Sequence, residues 1–238
     1  GYSYADPLAG LFAALATLVA LEYRATTGRG QYVDISEYEA MCSLLGPAIL
    51  DYSVNHNLPV PQGNDSEHML ASPHGCYQCI GDDRWCVITV RTEEEWHALC
   101  RAMGDPAWAK QEKFSSLQKR LKHKEELEEF LGQWTSNHTP EEIVSVLQEA
   151  GVLCGLVKNA ADLANDPQLE NRGFFVQLHH PVLGITHSDA TPIMLSRTPA
   201  QHRRAAPLFG QDNHYVYQVL LGLNDEEFNR YTDKGIIG

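Results

Sequence analysis

The stretch Asp6-Pro7-Leu8-Ala9-Gly10-Leu11-Phe12-Ala13-Ala14-Leu15, running on to Leu21-Glu22-Tyr23-Arg24, constrains the chain more than any other. Asp followed by Pro and then by Ala and Leu is a helix start: the Asp side chain can accept orphan backbone N–H groups, and Pro fits the first turn. From Leu8 to Leu21 the run holds 14 residues without a charge. That is short of the roughly 20 that a membrane-spanning helix needs, so the helix is expected to be buried, with Glu22 and Arg24 at its wet end. As N-cap, Asp6 would sit at the positive end of the helix dipole, where a carboxylate is held ionised. An ionised carboxylate can serve as a nucleophile. It can equally be nothing more than a cap, and the local sequence leaves both readings open.

Composition narrows the partners. The chain carries 18 basic and 31 acidic residues, a net charge of −13. Such a surface repels nucleic acid and anionic membrane, and neither is expected as a partner. A local group of basic side chains or a helix N-terminus can still attract an anion. The six cysteines, Cys42, Cys76, Cys79, Cys86, Cys100 and Cys154, form no dense framework and are expected to be reduced thiols of a cytoplasmic protein. Cys76-Tyr77-Gln78-Cys79 has the spacing of a metal knuckle, with His74 and Cys86 near it. No second pair follows, and both cysteines fall on an expected hairpin strand, so no metal is expected.

Downstream, Gln31 to Ile35 alternates as a short strand would, and Ser36-x-x-Glu39 opens a second helix with a capping box. That helix should turn Met41, Leu44, Leu45, Ile49 and Leu50 inward. Pro59, Pro61, Gly63, Asn64, Asp65 and Pro73 mark 59–73 as a linker or loop. His74 to Val90 reads as a hairpin turning at Gly81-Asp82-Asp83, and Thr92 and Thr139 cap helices. Between them one helix is expected from Leu117 to Trp134, its Lys119, Arg120, Lys122 and Lys124 offset by Glu125, Glu126, Glu128 and Glu129 on a solvated face. A core strand at 152–157, a short helix before Pro167, paired strands at 174–180 and 184–187, and helices at 215–221 and 225–231 complete the reading. His179 and His180 point to opposite faces of a strand and make a poor metal pair.

Asp6-x-x-x-Gly10, Ala20-Leu21-Glu22-Tyr23-Arg24, Thr26-Thr27-Gly28-Arg29-Gly30-Gln31-Tyr32-Val33-Asp34-Ile35-Ser36 and Glu39-Ala40 resemble the family III CoA-transferases, the group of formyl-CoA transferase, carnitine CoA-transferase and the α-methylacyl-CoA racemases. Asn165-Asp166-Pro167-Gln168-Leu169 and His179-His180-Pro181 with Gly184 resemble its later part. The resemblance implies an α+β fold: helical segments of a truncated large α/β domain in 1–58, a linker or active-site loop in 59–73, a small α+β domain with a short sheet in 74–190, and a return linker with C-terminal helices in 191–238. It makes Asp6 the catalytic carboxylate and Gly10, Gly63 and Asn64 candidate CoA-binding residues. The glycine run common in the family's active-site loop is absent after Gly63-Asn64.

What the resemblance implies for function is CoA transfer between an acyl-CoA and a carboxylic acid through an aspartyl anhydride and an aspartyl-CoA thioester. Coenzyme A is then a substrate, with no permanently bound cofactor, and the full-length protein is an interlocked homodimer. A racemase or epimerase of the same superfamily is the first alternative, although Pro7-Leu8-Ala9 stands before the single Gly10 where racemases tend to have several glycines. A non-catalytic remnant is the second.

Overall fold

The computed structural model describes residues 3–58, 60, 63–64 and 70–238. Pro59, Pro61, Gln62 and 65–69 of the expected linker lie outside the described residues. The chain divides into two compact units, 1–70 and 71–238.

In the first unit, α1 spans Ala5–Thr27 and stops where Gly28 takes φ 72° and donates its N–H to the Arg24 carbonyl at 2.8 Å. Left-handed backbone of this kind is what glycine allows without strain. At 23 residues α1 outruns its 14-residue uncharged core. It would suit a bilayer by length and hydropathy, a test that core helices of soluble proteins also pass. Gln31 to Ile35, expected as a strand, forms none. No strand pairs with it among the described residues, and alternation alone cannot satisfy a row of backbone N–H and C=O groups. Ser36 caps α2 (Glu37–Leu44) by accepting the Glu39 N–H at 3.3 Å. The single helix expected after it is instead two, since Leu45 breaks the run and α3 (Gly46–Asn55) follows. Of the residues expected inward, Leu44, Leu45, Ile49 and Leu50 are exposed, and in both helices only Ala40 is buried.

The second unit opens with β1 (His74–Gln78) and β2 (Trp85–Thr89), an antiparallel hairpin in which Tyr77 faces Cys86. β3 (Leu153–Val157) pairs with the other side of β2, giving the order β1-β2-β3. One face of this sheet is covered by helices. These are α4 (Glu93–Ala102), α5 (Leu117–Lys122), α6 (Lys124–Thr135) and α7 (Pro140–Glu149), and Ile88, Leu99, Phe114, Leu127, Leu131, Ile143 and Leu147 form the core between. Thr92 and Thr139 each form a reciprocal capping box, with Glu95 and Glu142. Such a box meets two orphan helix donors at once. α8 (Ala160–Ala164) and α9 (Pro167–Asn171) lead to a separate two-stranded ribbon, β4 (Phe175–His180) with β5 (Gly184–Asp189). A π-helical stretch (His214–Leu220) and α10 (Asp225–Asp233) end the chain, where Tyr217 and Phe228 meet ring to ring at 6.3 Å. The fold is α+β.

The helix expected from Leu117 to Trp134 is interrupted at His123, and Arg120, expected on a solvated face, is wholly buried. Its Nη1 and Nη2 donate to the two Glu93 carboxylate oxygens at 2.9 and 3.0 Å. Its Nε donates to the Ser72 carbonyl at 3.0 Å, and its plane lies 4.6 Å from the Trp96 ring. A buried guanidinium is tolerable only when its fork is met in this way. The partners come from positions 27 and 48 residues earlier, which a local charge pattern cannot disclose.

Candidate functional site

Asp6 lies in the first turn of α1 rather than before it. Tyr4 takes the N-cap place with φ −63° and ψ −25°, already helical, and makes no side-chain cap. The expectation that Asp6 itself caps the helix is therefore corrected. The physical reason is that the helix begins two residues early, so the carboxylate sits among the first N–H groups instead of folding back onto them. Those N–H groups have no intrahelical acceptor, and the positive end of the dipole still favours an anion there. The Asp6 side chain is exposed. A carboxylate with this placement is free to approach an electrophile.

The other expected site residues are placed less tellingly. At Gly10 an added Cβ would meet nothing within 4 Å, so no neighbour described here requires glycine. Gly63 has φ +63° and forms a turn with Asn64, a conformation that does favour glycine. Gly10 follows Asp6 by one turn of α1, and no side-chain hydrogen bond or ion pair joins Asp6 to Gly63 or Asn64 among the described residues. The structure thus locates the four without assembling them.

Nor do the thiols form a second centre. Burial pushes the Cys100 thiol up to about 11 and raises Cys76, Cys79, Cys86 and Cys154 as well. Thiols so raised stay protonated and make poor nucleophiles or ligands. Among the described residues no group of three or more His, Cys, Asp or Glu side chains is arranged to hold a metal. Two cavities in the second unit were not foreseen. One of about 280 Å³ lies beside Trp96, His97 and Lys110, and one of about 440 Å³ lies between β4 and the segment after β5.

The model of CoA-transferase family III matches residues 1–213, which includes Asp6, the whole of the first unit and the second unit as far as Asn213. The chain belongs to the family III CoA-transferases. It is 32% identical over 237 residues to a succinyl-CoA–D-citramalate CoA-transferase of Chloroflexus aurantiacus, covering all of this chain and 58% of that protein. A probable CoA-transferase of Mycobacterium tuberculosis is 31% identical over 236 residues, 98% of this chain and 29% of that one. A crystal structure of a CAIB/BAIF family protein from Brucella suis superposes with a TM-score of 0.83 at 24% identity, covering 92% of this chain and 56% of that one. The family III chain described here therefore spans little more than half the length of the Chloroflexus transferase and of the Brucella structure, and less than a third of the mycobacterial protein.

Proposed function

We propose that this chain supplies the nucleophile of a CoA-transferase acting between an acyl-CoA and a free carboxylic acid, with Asp6 as that nucleophile. The observation that carries the reading is the exposed Asp6 carboxylate in the first turn of α1, inside the stretch matched by the family model. An Asp6 carboxylate oxygen attacks the thioester carbonyl, the C–S bond breaks, and CoA leaves as thiolate from a mixed anhydride. The thiolate then attacks the Asp6 side-chain carbonyl, releasing the first acid and leaving an aspartyl-CoA thioester. An incoming carboxylate attacks that thioester, expels the thiolate and forms a second anhydride. Attack of the thiolate on the new acyl group yields the new acyl-CoA and restores Asp6. A carboxylate is a weak nucleophile, but each anhydride is strongly activated, so one difficult exchange becomes several easier ones. Backbone N–H groups at the start of α1 are suited to stabilise the oxyanions.

The donor and acceptor follow the pattern in the relatives' names, which join a CoA thioester to a carboxylic acid. Gly10, Gly63 and Asn64 belong to this reading as CoA contacts. The assembly that accompanies it is a cytoplasmic, interlocked homodimer of the full-length protein. The test is to incubate the full-length protein with acyl-CoA, quench with borohydride or hydroxylamine, and map the modified peptide. The mark is expected on Asp6, and Asp6→Asn should fold and transfer nothing. Appreciable transfer by Asp6→Asn would overturn the mechanism. Exchange of an α-proton of a 2-methylacyl-CoA without any adduct would favour the racemase instead.

A further inference from the structure

The cavity of about 440 Å³ in the second unit has mostly apolar walls, with Thr191, Ser196, Arg172 and His202 as its polar side chains. Val176 of β4 and the consecutive Ile193, Met194 and Leu195 line it, and Arg172 and His202 are the charged or titratable side chains on its border. No carboxylate lines it, in a chain that contains 31. The segment that forms its outer wall, 190–207, holds Arg197, Arg203 and Arg204 and no Asp or Glu at all. Arg204 is engaged with Asp212 at 2.8 Å, whereas Arg172 pairs with no carboxylate among the described residues. A lining without a carboxylate, bordered by Arg172 and His202, suits an anion even though Glu170 and Asp189 flank it in the sequence.

The walls are anchored. Gly173 takes φ +63° to turn α9 into β4, the Ala190 N–H donates to the Phe174 carbonyl at 2.6 Å, and the Ile193 N–H donates to Thr191 Oγ1 at 3.3 Å. Ile193, Met194 and Leu195 nonetheless leave 64%, 67% and 53% of their surface uncovered. The volume falls in the range of small-molecule sites, which are mostly apolar with a few polar groups that orient the ligand. A bare phosphate would satisfy the arginine and waste the walls, and a neutral hydrocarbon would do the reverse. We propose that this cavity binds a small organic anion with an apolar body, a short- to medium-chain carboxylate, whose charged end is taken by Arg172 and whose chain lies against Val176, Ile193, Met194 and Leu195. The site lies wholly within 71–238 and does not depend on Asp6 chemistry. It would give the protein a place for free acid apart from its nucleophile.

The test is a titration of the full chain, ¹³C-labelled at Met and Ile methyl groups, with hexanoate, hexanol and inorganic phosphate. Expected are saturable shifts of the Met194 and Ile193 methyls with hexanoate, at least tenfold weaker binding of hexanol, and none of phosphate at these methyls. Arg172→Gln should weaken hexanoate at least tenfold, and Met194→Glu, which sets a carboxylate in the cavity, should abolish it. Both positions are exposed, so neither replacement disturbs the core. Asp6→Asn should bind hexanoate unchanged, which separates this proposal from the catalytic one. Equal binding of hexanoate and hexanol, equal shifts with phosphate, or no saturation would overturn it. So would methyl shifts that follow protein concentration in place of ligand, because they would mean that a second copy covers the segment.

Discussion

Leu18 on α1 and Leu131 on α6 are the same side chain on two regular helices, yet Leu18 leaves 65% of its surface to solvent and Leu131 none. The contrast separates α1 and α3 from the helices packed on the three-stranded sheet; α8, α9 and α10 of the second unit bury no residue either. α1 and α3 bury no residue, whereas α4, α6 and α7 each bury several against the three-stranded sheet. Helix formation in 1–70 is a local affair of the first-turn Pro7, the Ser36 cap and the Gly28 stop. In 71–238 the same kinds of signal are locked by contacts from distant parts of the sequence. Helix signals lie within a few residues of one another, but a hydrophobic core needs a second element to close on it.

The sharpest way to break this contrast is through the cation at the centre of the second unit. Arg120→Ala should cost about 3–5 kcal/mol, because it leaves Glu93 without its partner and the Ser72 carbonyl without its donor. Urea unfolding of wild type and variant measures it. A loss below about 1 kcal/mol would mean that the guanidinium adds little to the core. Next in size, Leu131→Ala should cost about 2–5 kcal/mol through the cavity it leaves, while Leu18→Ala in the same chain should stay within about 0.5 kcal/mol. Equal losses at the two leucines would erase the difference between the units. Thr139→Ala should cost about 1 kcal/mol by removing the acceptor for the Glu142 N–H, read as a shift in the midpoint of the same urea curves.

The smallest expected effect depends on pH. The Arg120 guanidinium holds the Glu93 carboxyl below the usual carboxylate range. A lowered folded value stabilises the protein above the unfolded carboxyl pKa of about 4.3, and that contribution is lost as pH falls through the lowered value. The stability gap between wild type and Glu93→Gln should therefore be widest near neutrality and shrink on acidification through that range. Glu93 is more than a third exposed, so solvent screening keeps this titration modest. A gap that widens toward low pH would contradict the assigned pairing.

Elements whose causes lie within a few residues were legible in the sequence. The Thr92 and Thr139 caps and the hairpin turning at Gly81-Asp82-Asp83 rest on residues close in sequence. Arg120 was misread because a run of basic residues looks like a wet surface unless the glutamate 27 positions earlier is known to face it. Gln31 to Ile35 was misread for the opposite reason, since its alternation is real but no second strand answers it among the described residues. At the candidate site, the pattern from Asp6 through Gly30 singled out the carboxylate. Its position inside the first turn, rather than at the cap, depends on the backbone angles of Tyr4, which no side-chain pattern reports. The carboxylate-free run 190–207 could have signalled the anion-suited cavity, but only if local charge had been weighed separately from the total of −13.

The entry of the chain into its second unit is held on both sides of one residue pair. The Ser72 N–H donates to the Val90 carbonyl at 2.9 Å, the Val90 N–H donates to the Pro73 carbonyl at 2.8 Å, and Arg120 takes the Ser72 carbonyl. Mechanically this is a riveted joint. A strain on Ser72 and Pro73 is therefore shared with the end of β2 and with the Arg120–Glu93 pair.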